Sequence, residues 1–278
     1  MEENNAAFLL EAVGLGQQLA KPHTSEKVHY AVIPNDSQVR SLAEYQYPHG
    51  IPPDRIRATV KLGDAASFAA YVQRYTDSDK TLVFAQPERF SFLAVLDYHS
   101  SGAATKDRQP EFCDHKASFQ MQRDERWKIW VGQDNKPMAQ SDFAEFIEEN
   151  TADIFKPPAA DMLEIARDLH AKIDVNFGSS VRSQSGQVQL RYEETVKAGV
   201  GTAGIIEVPE EFSIQIPVFY GEQAVVIKAK LRFRINQGKL SFHYKLYRPI
   251  EIQNKAFDDA VAGLSSTLGS QILLGNPS

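Results

Sequence analysis

Val226-Ile-Lys-Ala-Lys-Leu-Arg-Phe-Arg-Ile-Asn-Gln-Gly-Lys-Leu-Ser-Phe-His-Tyr-Lys-Leu-Tyr-Arg248 alternates apolar and polar residues on both sides of a Gln-Gly step. Successive side chains of a strand leave opposite faces, so this pattern predicts two half-buried antiparallel strands. Ile227, Ala229, Leu231, Phe233 and Ile235 share one face, and Lys228, Lys230, Arg232 and Arg234 share the other. On the return strand Leu240, Phe242, Tyr244 and Leu246 join the apolar face, while Ser241, His243, Lys245 and Tyr247 join the polar one. A slip of one residue would carry the basic set into the core, so the register is strongly specified. Apolar opposes apolar only if Phe233 faces Phe242, Leu231 faces Tyr244 and Arg232 faces His243. That leaves Gln237-Gly238 as a two-residue loop, with glycine supplying the positive φ of a type I′ turn. A three-residue loop with a bulge would set Arg234 against Leu240 and mix the faces. In the preferred register Lys230 lies opposite Lys245, an unfavourable like-charge pair. An anionic partner at Lys228, Lys230, Arg232, Arg234, His243, Lys245 and Tyr247 would relieve it. The competing reading is a solvated face whose cations guard a sheet edge or are neutralised by acidic helices of the same chain.

The rest of the chain reads as blocks of strands and helices without regular βαβ units. This predicts an α+β fold with largely antiparallel β-sheets, a few packed helices, a C-terminal β-meander and a terminal helix. Strands are expected at 28–33, 58–62, 81–85, 89–100, 112–123, 127–131, 181–193, 205–208 and 212–220. Helices are expected at 6–19, 65–75 with Asp64 as its cap, 141–154 capped by Ser141, 160–173, and 256–268 capped by Asn254. The helix at 141–154 would carry Glu145, Glu148, Glu149 and Asp153 on its outer side. Lys156-Pro157-Pro158 suggests a division into an N-terminal α+β region, 1–156, and a C-terminal meander region with its helix, 157–278, although one continuous domain fits the helix pair around it equally well.

Composition narrows the function classes. The chain has 278 residues, 42% of them hydrophobic and 24% charged, with a net charge of −6. A broad electrostatic nucleic-acid binder is usually basic overall, so any such binding here is expected to be local or multiplied by oligomerisation. A single cysteine, Cys113, excludes an internal disulfide and suggests a reducing compartment. The acidic start, Met1-Glu-Glu-Asn-Asn, lacks the basic region of a secretory signal, and no apolar run is long enough to span a bilayer. These features predict a cytoplasmic protein without membrane partners.

No stretch carries a decisive catalytic motif, so no catalytic residue and no cofactor is assigned. Asp97-Tyr98-His99 and Cys113-Asp114-His115 place Asp97 with His99, and Cys113 with His115, on shared strand faces. If the two strands pair, Asp97, His99 and His115 form a candidate metal set with Cys113 as a fourth ligand, since zinc accepts such mixtures. The spacing matches no strong zinc signature, and hydrogen bonding at a sheet edge explains the same residues. A Cys113–His115 nucleophilic pair lacks any oxyanion-hole signal. Gly199-Val200-Gly201-Thr202-Ala203-Gly204 resembles a dinucleotide fingerprint, but a strand follows it where a helix is required. Glu145, Glu148 and Glu149 read as a solvated helix face. Trp127 and Trp130 read as core or interface.

Asp97-Tyr98-His99, Asp114-His115-Lys116-Ala117-Ser118-Phe119 and Met138-Ala139-Gln140-Ser141-Asp142-Phe143-Ala144-Glu145-Phe146-Ile147 resemble the YfdQ-like family of phage and prophage proteins. Pro209-Glu210-Glu211-Phe212-Ser213-Ile214-Gln215-Ile216-Pro217 and the Arg232-to-Pro249 run fit the same pattern, so the resemblance spans nearly the whole chain. It implies expression in the cytoplasm of an infected or lysogenic bacterium and supplies no catalytic residue. The leading expectation is a non-enzymatic accessory protein that self-associates and binds DNA, RNA or a host protein through its basic hairpin. Two alternatives stand beside it. One is a metal-dependent hydrolase using Asp97, His99 and His115. The other is an acidic inhibitor of a host defence enzyme, its helix around Glu145–Asp153 imitating phosphate spacing.

Overall fold

The computed structural model describes residues 55–100, 111–172, 175–182, 187–193 and 203–277, and the strands at 23–25, 28–33 and 38–41. The chain divides into two compact units, Met1–Arg57 and Ala58–Ser278. In the first, β1 (His23–Ser25), β2 (Val28–Ile33) and β3 (Gln38–Ser41) form an antiparallel sheet with β2 at its centre. The helix expected at 6–19 lies outside the described residues, as do Gly199 and Gly201.

The second unit is α+β, built on two five-stranded sheets in which antiparallel pairs dominate. One sheet contains β4 (Ala58–Leu62), β5 (Leu82–Gln86), β6 (Ser91–Val95), β7 (His115–Gln120) and β16 (Ile272–Leu274), in the order β16-β5-β6-β7-β4. Its outer pairs, β4 with β7 and β16 with β5, are parallel. Helix α1 (Ala65–Tyr75) starts as expected at Asp64, whose carboxylate accepts from the Ser67 backbone N–H at 2.7 Å. Its buried Phe68 meets Phe92 and Phe119 of the sheet, and Phe92 also meets Phe257. Phe257 belongs to the terminal helix α5 (Pro249–Leu268), which begins more than a turn before the expected Asn254 cap. Pro249 sits in its first turn, where a missing N–H costs nothing and the fixed φ suits a helix.

The other sheet has the order β8-β15-β14-β13-β9 and is antiparallel throughout: β8 (Met138–Ala139), β15 (Lys239–Leu246), β14 (Ala224–Asn236), β13 (Glu211–Pro217) and β9 (Ile154–Lys156). Residues 127–131, expected as a strand, belong instead to helix α2 (Glu125–Gly132), capped by Asp124. Trp127 and Trp130, three apart, both bury on one helical face, and their aromatic bulk imitated strand composition. Helix α3 (Gln140–Glu149) starts after Ala139, so Ser141 is not its cap; the Ser141 hydroxyl donates to Asp142 inside the first turn. The helix stops at Glu149, and Ile154 reaches the core from β9 rather than from a helix. Ile154 of β9 pairs with Ile214 of β13. Phe143 of α3 stacks on Phe242 of β15 at 4.5 Å. Helix α4 (Ala159–Ala171) buries Met162, Ala166 and Leu169. The strand expected at 181–193 is in fact two: β10 (Asn176–Arg182) and β11 (Gln187–Glu193) pair with each other, and β12 (Ala203–Pro209) completes a three-stranded sheet.

Candidate functional site

The β14–β15 pair holds the register read from the alternation. Phe233 faces Phe242, Leu231 faces Tyr244, Arg232 faces His243 and Lys230 faces Lys245. Gln237 (φ 50°) and Gly238 (φ 76°) form the two-residue loop, and both left-handed residues fit a type I′ turn. Below the ribbon, Ile227, Ala229, Leu231, Leu240, Phe242, Tyr244 and Leu246 are buried. Tyr244 donates to the Trp130 carbonyl at 2.7 Å, and the Leu246 N–H donates to Asp134 at 2.8 Å. The underside is therefore committed to the core. Lys228, Lys230, Arg232, Arg234, Lys245 and Tyr247 are exposed above it, with His243 half-buried among them.

Counter-charge on this face is sparse. Glu211 of β13 pairs in register with Lys230, and the two side chains approach to 3.7 Å. Glu211 thus offsets the opposition of Lys230 and Lys245, but an exposed pair of this length contributes under about 1 kcal/mol. Among the described residues, no carboxylate lies within ion-pair distance of Lys228, Arg232, Arg234 or Lys245. Burial, then Arg234 and Arg232, hold the His243 imidazole below the ordinary histidine range. The neutral imidazole is therefore favoured there, and an anion beside it would favour the charged form.

Two concavities lie end to end along the ribbon. One, about 480 Å³, has Arg232, Phe233, Arg234 and His243 on its floor and Val188, Glu210 and Glu211 along its wall. The other, about 640 Å³, is lined by Lys228, Lys230, Lys245, Tyr247 and Arg248 among others. They meet at Glu211 and Lys230. Tyr247 is 59% exposed, with the Arg248 guanidinium 5.3 Å from its ring centroid. The wall residues Val188 of β11, Glu211 of β13 and Glu210 between β12 and β13 carried no sequence signal. Lys156 was also missed. It pairs with Ser213, which pairs with Lys228, so it extends the same cationic row across three strands. Lys156 comes from β9, far from the ribbon in sequence, and only the sheet order reveals its place.

Asp97, His99 and His115 are occupied differently from a metal set. The two Asp97 oxygens accept from the backbone N–H groups of Asp114 (3.1 Å) and His115 (3.0 Å). His115 is buried, with its Nε2 3.0 Å from the Tyr71 hydroxyl and its ring edge-on to Tyr75. His99 is exposed, and its Nδ1 accepts from the Glu111 N–H at 3.0 Å. Among the described residues no group of three or more His, Cys, Asp or Glu side chains is placed to hold a metal ion. Burial and then the Asp97 carboxylate push the Cys113 thiol up, away from the thiolate a nucleophile needs. On α3, Glu145, Glu148 and Glu149 are exposed, but Asp153 is buried and accepts from Trp130 Nε1 at 2.8 Å, so it is not part of the acidic face.

The second unit is thus α+β, with an exposed cationic face on β14 and β15. The chain belongs to the family described as uncharacterized conserved protein (DUF2303), which matches residues 7–277. No curated protein and no solved structure matches it. No described helix is long and apolar enough to cross a membrane.

Proposed function

We propose that this chain is a non-enzymatic nucleic-acid-binding protein that works through the outer face of β14 and β15. One observation carries the reading: Lys228, Lys230, Arg232, Arg234 and Lys245 align on a single exposed face, and only Lys230 has a carboxylate partner among the described residues. Phosphates neutralise such cations and release counterions, which is the dominant driving force of nucleic-acid binding. The net charge of −6 opposes long-range attraction, and self-association would offset this by presenting several faces to one strand. Taken with the resemblance to YfdQ-like proteins, the role is that of a phage or prophage accessory factor in the bacterial cytoplasm.

The test is fluorescence anisotropy with labelled oligonucleotides at about 50 mM salt, a regime in which phosphate contacts are strong. Wild type binds, and the double variant Lys230→Glu/Arg232→Glu loses binding while keeping its circular dichroism spectrum. Equal binding by both proteins, or none by wild type, refutes the reading. A host protein retained from nuclease-treated lysate by wild type and not by the variant would assign the face to a protein instead. Light scattering reports self-association, and a lone 31 kDa species removes that part.

A further inference from the structure

Resting on the reading that this face binds nucleic acid, we infer that its ligand is a single strand, with Tyr247 stacking on a base and the cationic row following the backbone. Three features of the ribbon favour a single strand over a duplex.

The first is spacing. Lys228, Lys230, Arg232 and Arg234 occur at every second residue of one strand, so their rows repeat at about 6.8 Å. A single strand can lie extended along such a row and meet successive cations with successive phosphates, whereas each strand of a duplex winds away around the helix axis. The second is shape. A two-stranded ribbon reads duplex DNA by entering the major groove, which requires a projecting tip. Here the tip is tied down: the Phe177 N–H donates to the Gly238 carbonyl at 3.1 Å, and a Cβ at Gly238 would stand 2.6 Å from the Asn176 side chain. The ribbon is also flanked by β13 and β8 within its own sheet. It therefore offers a floor with two shallow concavities rather than a probe. The third is the aromatic platform. Tyr247 is exposed beside Lys228, Lys230 and Lys245 in one concavity, with a guanidinium against its ring. Aromatic rings interleaved with cations are how sequence-tolerant single-strand sites hold successive bases.

Carboxylates in the lining add a limit: Glu211 lines both concavities and Glu210 the first. The site thus suits a short run of phosphates and not an extended polyanion track.

The experiment compares oligothymidylate, oligouridylate and a duplex of the same length against full-chain protein at equal salt. The expected result is binding to a single strand at least about 10-fold tighter than to duplex. Tyr247→Ala weakens single-strand binding about 5- to 150-fold, the loss of one base stack, while Tyr247→Phe retains it and duplex binding is unchanged by either. The thymidylate and uridylate arms separate DNA from RNA as the source of the strand. Duplex binding as tight as single-strand binding overturns this inference and leaves nucleic-acid binding standing. An unchanged affinity in Tyr247→Ala also overturns it. Absence of binding to every probe overturns the inference together with the reading beneath it.

Discussion

Tyr244→Phe isolates the bond that fastens the cationic ribbon to the helical layer. Helix α2 ends at Gly132, and the Asp134 N–H that would have bonded the Trp130 carbonyl goes to Val131 instead. The Trp130 carbonyl is a helix-terminal acceptor in a dry environment, and the Tyr244 hydroxyl supplies its donor at 2.7 Å. Burial pushes the Tyr244 phenol far above its usual range, so the proton stays in place at any ordinary pH. Phenylalanine keeps the ring contacts with Trp130 (5.4 Å), Phe212 (5.7 Å) and Phe146 (5.9 Å). What is lost is one hydrogen bond, and what is left is a buried carbonyl without a partner, a cost of about 1–3 kcal/mol. For a unit of this size about 2 kcal/mol corresponds to a fall in Tm of about 4–8 °C. Urea titration should give the same ΔΔG through a lower midpoint at an unchanged slope. Oligonucleotide affinity of the folded variant should match wild type, because the register and the outer face are untouched. A Tm within about 1 °C of wild type would refute the reasoning.

Four further outcomes follow from the geometry. The folded-state pKa of His243 lies below its unfolded value, so stability is lost as pH falls from about 6.5 through the lowered value, and His243→Gln removes that loss. Phosphate near His243, Arg232 and Arg234 favours the imidazolium, so wild-type affinity should rise as pH falls below about 6.5 more steeply than that of His243→Gln, as read by anisotropy across pH. The Ser67 backbone N–H and then its hydroxyl hold the Asp64 carboxyl below its usual range; its contribution is complete above about pH 4 and is lost as pH falls through the lowered value, so Asp64→Asn should show a shallower acid unfolding curve. Asp97→Ala leaves the Asp114 and His115 N–H groups without their acceptor and should cost about 1–3 kcal/mol in thermal unfolding, whereas elemental analysis of wild type should find no stoichiometric transition metal.

The ribbon was legible because three independent signals agreed within 23 residues: a period of two, a charge pattern in phase with it and a Gln-Gly turn. Each alone permits another register, and together they leave one. Helix α1 was legible for a similar reason, since Asp64 and the Phe68–Val72 stripe mark both its start and its inner face. Residues 127–131 misled because a short helix with two tryptophans has a strand's composition, and only the three-residue interval between the rings distinguishes them. The terminal helix began early because a proline before an apolar run reads as a break, although it also fits a first turn. The candidate site was half visible. Its floor lies on two consecutive strands, but Val188, Glu210, Glu211 and Lys156 arrive from distant segments through sheet order alone. Asp97 meets His115 through a backbone N–H, which no side-chain pattern records.

The salt dependence of oligonucleotide binding tests the central claim most directly, because it counts neutralised phosphates. With three to five of the cations on this face engaged, log Kobs should fall against log salt concentration with a slope of about −2 to −3.5 for a single strand. Arg232→Ala/Arg234→Ala should make that slope shallower by about 1.4, two contacts fewer. A wild-type slope near zero, or one that the double variant leaves unchanged, would show that these side chains do not meet phosphate.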